Sequence, residues 1–205
     1  MEHTVKSAFL RGMFRELPAF SHENHGKKFF RFTLDVPRLS GTIDCIPVIA
    51  EESLLENLDT DGGDMIAVTG QIRSHNVREG TVRHLMIFLF AESVCTDSGD
   101  PVNEVTVEGP LCREPVYRRT PMGREICDAM IAVPRAFRRA DYLPCILWGR
   151  IAQEVSCRHT RELLHIEGRI QSRTYTKQTE NGPLERTAYE ISALTACFPD
   201  SEETD

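Results

Sequence analysis

The residues of this 205-residue chain most able to bind a metal or attack a substrate are its seven cysteines and seven histidines. Their spacing supports neither chemistry. Cys45, Cys95, Cys112, Cys127, Cys145, Cys157 and Cys197 are odd in number and form no Cys-x-x-Cys pair, so neither a zinc site nor a disulfide framework is expected. Cys45, Cys127, Cys145 and Cys197 lie in apolar, strand-like segments, where a reduced thiol packs as a small hydrophobe in a reducing compartment. His22 and His25 stand in Ser21-His22-Glu23-Asn24-His25-Gly26. Their spacing is not that of a helical zinc protease, and the glycine follows at once, so a polar loop is expected. Asp61-Gly62-Gly63-Asp64 reads as a turn. No Ser/His/Asp or Cys/His grouping has local support for nucleophilic catalysis. A non-catalytic protein is expected, with no metal and no cofactor.

The elements that must carry any other chemistry follow from the pattern. Hydrophobic residues make up 40% and charged residues 27%, which excludes a wholly disordered or fibrous chain. The longest apolar run, Leu85 to Ala91, is far short of the roughly 20 residues of a membrane helix. No basic-then-apolar segment opens the chain, so a cytoplasmic location without membrane contact is expected. Sliding the chain along itself by 97 residues superposes Gly12 on Gly109, Pro18 on Pro115, Phe20 on Tyr117 and Gly26 on Gly123. Val36-Pro37-Arg38 falls on Val133-Pro134-Arg135. A shift of 98 puts Gly70, Ile72 and Ser74 on Gly168, Ile170 and Ser172. Two copies of one unit are expected, over 1–98 and 103–198, joined at Asp97-Ser98-Gly99-Asp100-Pro101, with a short acidic tail over 199–205. Phe30, Phe32, Leu34 and Val36 alternate with polar residues, as do Cys127, Ala129, Ile131 and Val133, which is the period of a half-buried strand. Pro121-Met122-Gly123 and Asn181-Gly182-Pro183 mark turns. Glu51 to Leu58 and Ile151 to Cys157 are helix-compatible. The expectation is an all-β chain of two tandem OB-fold, five-stranded Greek-key barrels, each with one short helix. The pattern alone does not separate this barrel from other small ones.

The second unit resembles bacterial single-stranded DNA-binding proteins over about 103–198. Asn103-Glu104-Val105 leading to Gly109, Arg113-Glu114-Pro115 and Arg118-Arg119-Thr120-Pro121-Met122-Gly123 carry the resemblance. So do Ala132-Val133-Pro134-Arg135, Tyr142 with Cys145-Ile146-Leu147-Trp148-Gly149-Arg150, Ile166-Glu167-Gly168-Arg169-Ile170 and Arg173-Thr174-Tyr175-Thr176. The resemblance implies non-catalytic, largely sequence-independent binding of single-stranded DNA in replication, repair or recombination. It implies base stacking on Phe137, Tyr142, Trp148 and Tyr175. Every base has a π face, so stacking tolerates any sequence. Arg113, Arg118, Arg119, Arg135, Arg138, Arg139, Arg150, Arg173 and Lys177 surround these rings in sequence and suit phosphate contacts. Trp148 also has the setting of a core residue, Tyr142 and Tyr175 that of half-buried strand tyrosines, and the arginines that of a solvated face.

The first unit, matched to the family only through the repeat, places Ile43, Ile49 and Val77 against Tyr142, Trp148 and Tyr175, and Leu39 or Ser40 against Phe137. A structural or interface role is expected for it. The formal charge of −7 divides unevenly. Residues 1–102 hold 10 basic and 15 acidic side chains, 103–198 hold 14 and 12, and 199–205 hold none and 4. The unit with the aromatics is the only basic one. The family usually assembles four barrels, so two chains of this kind would supply them as a homodimer. Recruitment of replication or repair proteins is left open, because the tail lacks the family's long linker and apolar tip. Two alternatives stay open: an OB-fold interaction module of the primosome or replication machinery, and an OB-fold RNA binder.

Overall fold

The computed structural model describes residues 6–56, 58, 63–79, 82–179 and 182–199. Strands dominate: β1 (Lys6–Phe14), β2 (Ala19–Asn24), β3 (Lys27–Pro37), β4 (Ile43–Glu51), β5 (Met65–Glu79) and β6 (Val82–Thr96) are followed by β7 (Val102–Pro110), β8 (Val116–Arg119), β9 (Glu125–Arg135), β10 (Arg139–Trp148), β11 (Leu163–Thr179) and β12 (Gly182–Cys197). One helix, α1 (Gly149–Ser156), follows β10, and a single 3₁₀ turn at Glu52–Leu54 follows β4. The 3₁₀ turn lies within the helix-compatible stretch Glu51 to Leu58, while α1 begins two residues before the stretch Ile151 to Cys157 and ends one residue before its end. Ala152 and Val155 of α1, three residues apart, are buried against the second barrel's core, while Leu54, Leu55 and Leu58 pack the corresponding end of the first.

Burial alternates along the strands as the sequence pattern requires. Phe32, Leu34 and Val36 are buried on β3, and Cys127, Ala129, Ile131 and Val133 on β9. Phe30 is only half-buried, whereas Phe29 turns to the opposite face and is buried there. Each barrel has one strand more than the five expected. The extra strands, β2 and β8, are short, almost wholly exposed edge strands, so no alternating burial announces them. The expected polar loop at Ser21–Gly26 is therefore β2 up to Asn24, with the turn confined to His25 and Gly26, both at positive φ. The glycines of the repeat mark close backbone approaches. A methyl on Gly12 would lie 2.5 Å from Asp35 O, and one on Gly109 would lie 2.5 Å from Ala132 O. All seven cysteines are free; Cys127 and Cys145 are buried and Cys45 partly so, while Cys197 is exposed rather than packed.

The twelve strands form one sheet in the order β2-β3-β4-β6-β5-β1-β7-β11-β12-β10-β9-β8. The order is palindromic about the β1–β7 pair. Within each barrel one parallel contact, β4 with β6 or β10 with β12, completes the Greek key. β1 and β7 run antiparallel and pair Ala8 with Val105, two residues that are 97 apart, the repeat length itself. A pseudo-dyad therefore passes between these two buried side chains.

Two fully buried aspartates repeat that symmetry. Asp44 accepts from the Ser172 backbone N–H (2.7 Å) and hydroxyl (3.2 Å) across the junction, and holds Arg38 through both carboxylate oxygens (2.7 and 2.6 Å). Asp141 accepts from the Ser74 backbone N–H (2.7 Å), the Lys6 ammonium and Arg135 (3.4 Å). Tyr142 N–H donates to the Ser74 hydroxyl (2.8 Å). Each barrel thus satisfies a buried backbone donor of the other with a carboxylate. Removing one partner of such a pair leaves the other groups buried and uncompensated. Asp44→Ala is expected to lower the unfolding free energy by about 3–5 kcal/mol, read from the urea midpoint; a loss below about 1 kcal/mol would show that the junction does not depend on it.

Candidate nucleic-acid interface

The outer face of β10 carries Tyr142, Pro144, Ile146 and Trp148, since side chains two apart share a face. Tyr142 is half exposed at 49%. Trp148 is half-buried, and its indole N–H donates to the Ser192 hydroxyl at 3.1 Å. That bond fixes the ring between two shallow clefts. One, of about 390 Å³, is lined by Arg119, Arg124 and Gly149 among others. The other, of about 400 Å³, is lined by Arg38 of the first barrel and by Arg124, Arg169 and Gln171.

The turn between β9 and β10 has a different character. Phe137 and Arg138 both sit at positive φ, 61° and 56°, a backbone region that costs a non-glycine residue roughly 1–2 kcal/mol. The Phe137 ring is 94% exposed. A large apolar ring held in water on a strained turn gains nothing from the core.

Tyr175 stands on the β11–β12 hairpin, 39% exposed, with the Arg173 guanidinium 5.9 Å from its ring centre. With Arg186 it lines a cleft of about 560 Å³ shared with His84 of the first barrel's β5–β6 hairpin. The four sequence-chosen aromatics therefore do not line one groove. Trp148 borders two clefts, and Phe137 and Tyr175 border one each, along the junction and ends of the second barrel.

The cations divide in two. Arg118 is held bidentate by Asp128 (2.5 and 3.1 Å), Arg119 by Glu125 (3.1 Å), Arg150 by Glu154 (3.3 Å) and Arg135 by Asp141. Hydrogen bonds from Tyr117, Gln153 and Arg119 hold the Glu125 carboxyl below its usual range. Arg113, Arg138, Arg139 and Arg173 are exposed and have no carboxylate partner among the described residues. The Lys177 side chain, Asn181 of the predicted turn, and residues 200–205 of the tail lie outside the described residues.

Sequence reasoning missed Arg38, Arg124, Arg169, Lys6 and Arg73. The repeated Val-Pro-Arg tripeptide was the available signal for Arg38, the counterpart of Arg135. The strand registers also revise the cross-barrel matches. Val48 and Ile49 pair with Leu89 and Phe90 as Cys145 and Ile146 pair with Ile191 and Ser192. Cys45 and Glu51, rather than Ile43 and Ile49, therefore take the places of Tyr142 and Trp148. Val77 keeps the place of Tyr175.

The first barrel carries rings elsewhere, and they pack largely on one another. His22 stacks on Phe29 (4.9 Å), Phe29 meets Phe90 (5.8 Å), and His75 meets Phe88 edge-on (5.4 Å). Burial pushes the His75 imidazole below its ordinary value, aided by His84 and His22.

Burial pushes the Cys127 thiol up to about 11, and Cys145 further still, so neither is poised as a nucleophile. Among the described residues no three His, Cys, Asp or Glu side chains converge as metal ligands would. No helix among them is long and apolar enough to cross a membrane.

Residues 102–198 match the model of the Single-strand binding protein family. The match spans the second barrel, just under half of the chain. The Single-stranded DNA-binding protein 1 of Staphylococcus aureus (strain COL) is 34% identical over 84 residues, covering 38% of this chain and 50% of that protein. The Single-stranded DNA-binding protein of Lactiplantibacillus plantarum is also 34% identical over 84 residues, covering 38% and 42%. The chain thus spans about half the length of the curated relatives it matches or less. The wild-type single-stranded DNA binding protein from Thermus aquaticus superposes with a TM-score of 0.78 at 20% identity, over 96% of this chain and 93% of that one. That likeness is one of fold, and it spans both barrels.

The strain at the β9–β10 turn makes a stability test. Phe137→Gly removes a ring with almost no buried area and relieves the positive φ, so a gain of about 1 kcal/mol is expected in urea unfolding. An unchanged or lower midpoint would show that the turn stores no strain.

Proposed function

We propose that this chain binds single-stranded DNA, without catalysis and largely without sequence preference, as a cytoplasmic component of replication, repair or recombination. The observation that carries the reading is the exposed Phe137 ring on its strained turn, flanked by the unpaired Arg138 and Arg139. A ring in water stacks on any base, and free guanidinium groups displace counterions from phosphate. Tyr142, Trp148 and Tyr175 offer further faces, with Arg113 and Arg173 at hand. Arg118, Arg119, Arg135 and Arg150 must first leave or share a carboxylate, so their contribution per contact is smaller. The match of the second barrel to the Single-strand binding protein family model and the names of its relatives support the same reading.

Binding is assigned to the second barrel over 103–198, and a structural or interface role to the first over 1–98. Two such chains associate as a homodimer of four barrels, and other replication or repair proteins dock on the assembly. A second reading, an interaction module of the replication machinery with weak DNA contact, rests on Leu39 and Ile43. Both are exposed aliphatics of the first barrel, at 110% and 50%, and such side chains suit a protein partner better than a base.

Trp148 is the single tryptophan, so its fluorescence reports one site. Oligo-dT is expected to quench it, with affinity falling as salt rises. No quenching and no oligonucleotide retained at low salt would favour the interaction-module reading. Phe137→Ala and Tyr142→Ala are each expected to weaken binding by about 1–3 kcal/mol, whereas Ile43→Ala leaves it unchanged. Light scattering at micromolar concentration is expected to give twice the chain mass; a monomer mass would remove the four-barrel assembly.

A further inference from the structure

The cleft of largest volume among those described, about 840 Å³, lies where the two barrels meet. The first barrel contributes Lys6, Asn24, His25, Gln71 and Arg73, and the second contributes Arg135, Phe137 and Arg139. Four of these side chains are cations. Two carboxylates stand near these four cations: the buried Asp141, which Lys6 and Arg135 share, and Glu92, which Gln71 holds at 2.6 Å and whose charge acts on Arg73. Among the described residues Arg73 makes no ion pair within 4 Å. Its guanidinium lies flat against Phe90, 3.7 Å from the ring centre, and its Nε is buried with no hydrogen-bond partner. Arg139 is exposed and has no carboxylate partner among the described residues. Burial pushes the Lys6 amine below its ordinary range, and Arg73 and Arg135 push the same way against Asp141.

The pseudo-dyad supplies a control within the same molecule. On the opposite side of the junction the positions of Lys6, Arg73, Arg135 and Arg139 are held by Asn103, Gln171, Arg38 and Thr42. Asn103 meets the backbone of Ile170 through both its oxygen and its nitrogen (3.0 and 2.8 Å). Gln171 pairs with Glu190 at 2.7 Å. At these four matched positions that side carries one cation instead of four, and Arg124 and Arg169 line its smaller cleft beside Arg38. Packing two barrels does not require the positive charge of the larger crevice, and burying surplus charge is costly without a counter-ion. The surplus calls for an anion from outside the chain.

We propose that this crevice binds the phosphodiester backbone of a single DNA strand as it crosses from the second barrel to the first. Lys6, Arg73, Arg135 and Arg139 pair with phosphate, and Phe137 at the rim stacks the base that enters. The inference rests on the single-strand reading and extends it, because it gives the first barrel a direct share of the strand.

The test is the salt dependence of oligo-dT binding, read from Trp148, for an oligonucleotide of about 30 nucleotides, long enough for two OB barrels. R73Q is expected to reduce the slope of log K against log salt by about 0.7, and R73Q/R139Q by about 1.4, because each phosphate contact on a single strand contributes that much. R139Q alone, at an exposed unpaired position, gives the same test should R73Q disturb folding. R161Q removes the same charge from a loop outside the crevice and controls for net charge, so its slope stays with the wild type. If the wild type binds and Tyr142→Ala weakens it, but R73Q and R139Q keep the wild-type slope, the crevice inference alone fails. Failure of the wild type to bind at all removes both readings. A calorimetric titration with inorganic pyrophosphate separates the remaining source: pyrophosphate binding abolished by R73Q, with oligo-dT affinity intact, would assign the crevice to free phosphates and overturn the crossing strand.

Discussion

The antiparallel pairing of β1 with β7 is the contact on which the rest of the molecule depends. It makes one twelve-stranded sheet out of two barrels and places Ala8 beside its own counterpart, Val105. Backbone hydrogen bonds alone would leave such a junction free to slide by two residues. Asp44 and Asp141 remove that freedom. Each sits at zero exposure and accepts the backbone N–H of a serine in the other barrel. A carboxylate taken out of water is tolerable only when it is fully satisfied. The register in which both aspartates find their serines is therefore the one that the buried charge permits.

The same frame accounts for where the clefts lie. Two rounded barrels joined along one strand pair leave a furrow on each side of the junction. Arg38 and Trp148 face one furrow, and Arg73 and Phe137 the other. The furrows are related by the pseudo-dyad, yet their chemistry differs. Positions that face outward or into the furrows accept substitution without disturbing the core, so Tyr142 has drifted from Cys45, Trp148 from Glu51 and Lys6 from Asn103. Positions that close the junction have kept their type. Asp44 and Asp141, Ser74 and Ser172, and Arg38 and Arg135 still match. A duplicated barrel has thereby divided its surface while its interior remains common to both halves.

Much of this was legible in the residues because local physics writes it there. Alternation at Phe32, Leu34 and Val36 announces a strand with one wet face. The glycines at a constant offset announce a repeat, since a side chain at Gly12 or Gly109 would strike a carbonyl oxygen. What stayed hidden has a common cause. β2 and β8 are exposed edge strands, so burial leaves no period in them, and His22, read as part of a loop, stacks on Phe29 instead. The arginines near the aromatics were visible in sequence, but not which of them a carboxylate already holds: Arg118 is taken by Asp128, whereas Arg139 has no carboxylate partner among the described residues.

By itself, the order of residues determined the all-β class, the repeat, one helix-compatible stretch in each half and the aromatic, arginine-rich character of the second half. Those properties follow from spacing along the chain, where periodicity and propensity act. Only the tertiary structure decided that Lys6 and Arg73 join Arg135, Arg139 and Phe137 around one crevice, that Tyr175 looks toward the first barrel's hairpin, and that Trp148 is anchored on Ser192. These are contacts between residues tens to more than a hundred positions apart. They exist only because strand pairing and two buried carboxylates bring the barrels together in one register, and no local pattern encodes that meeting.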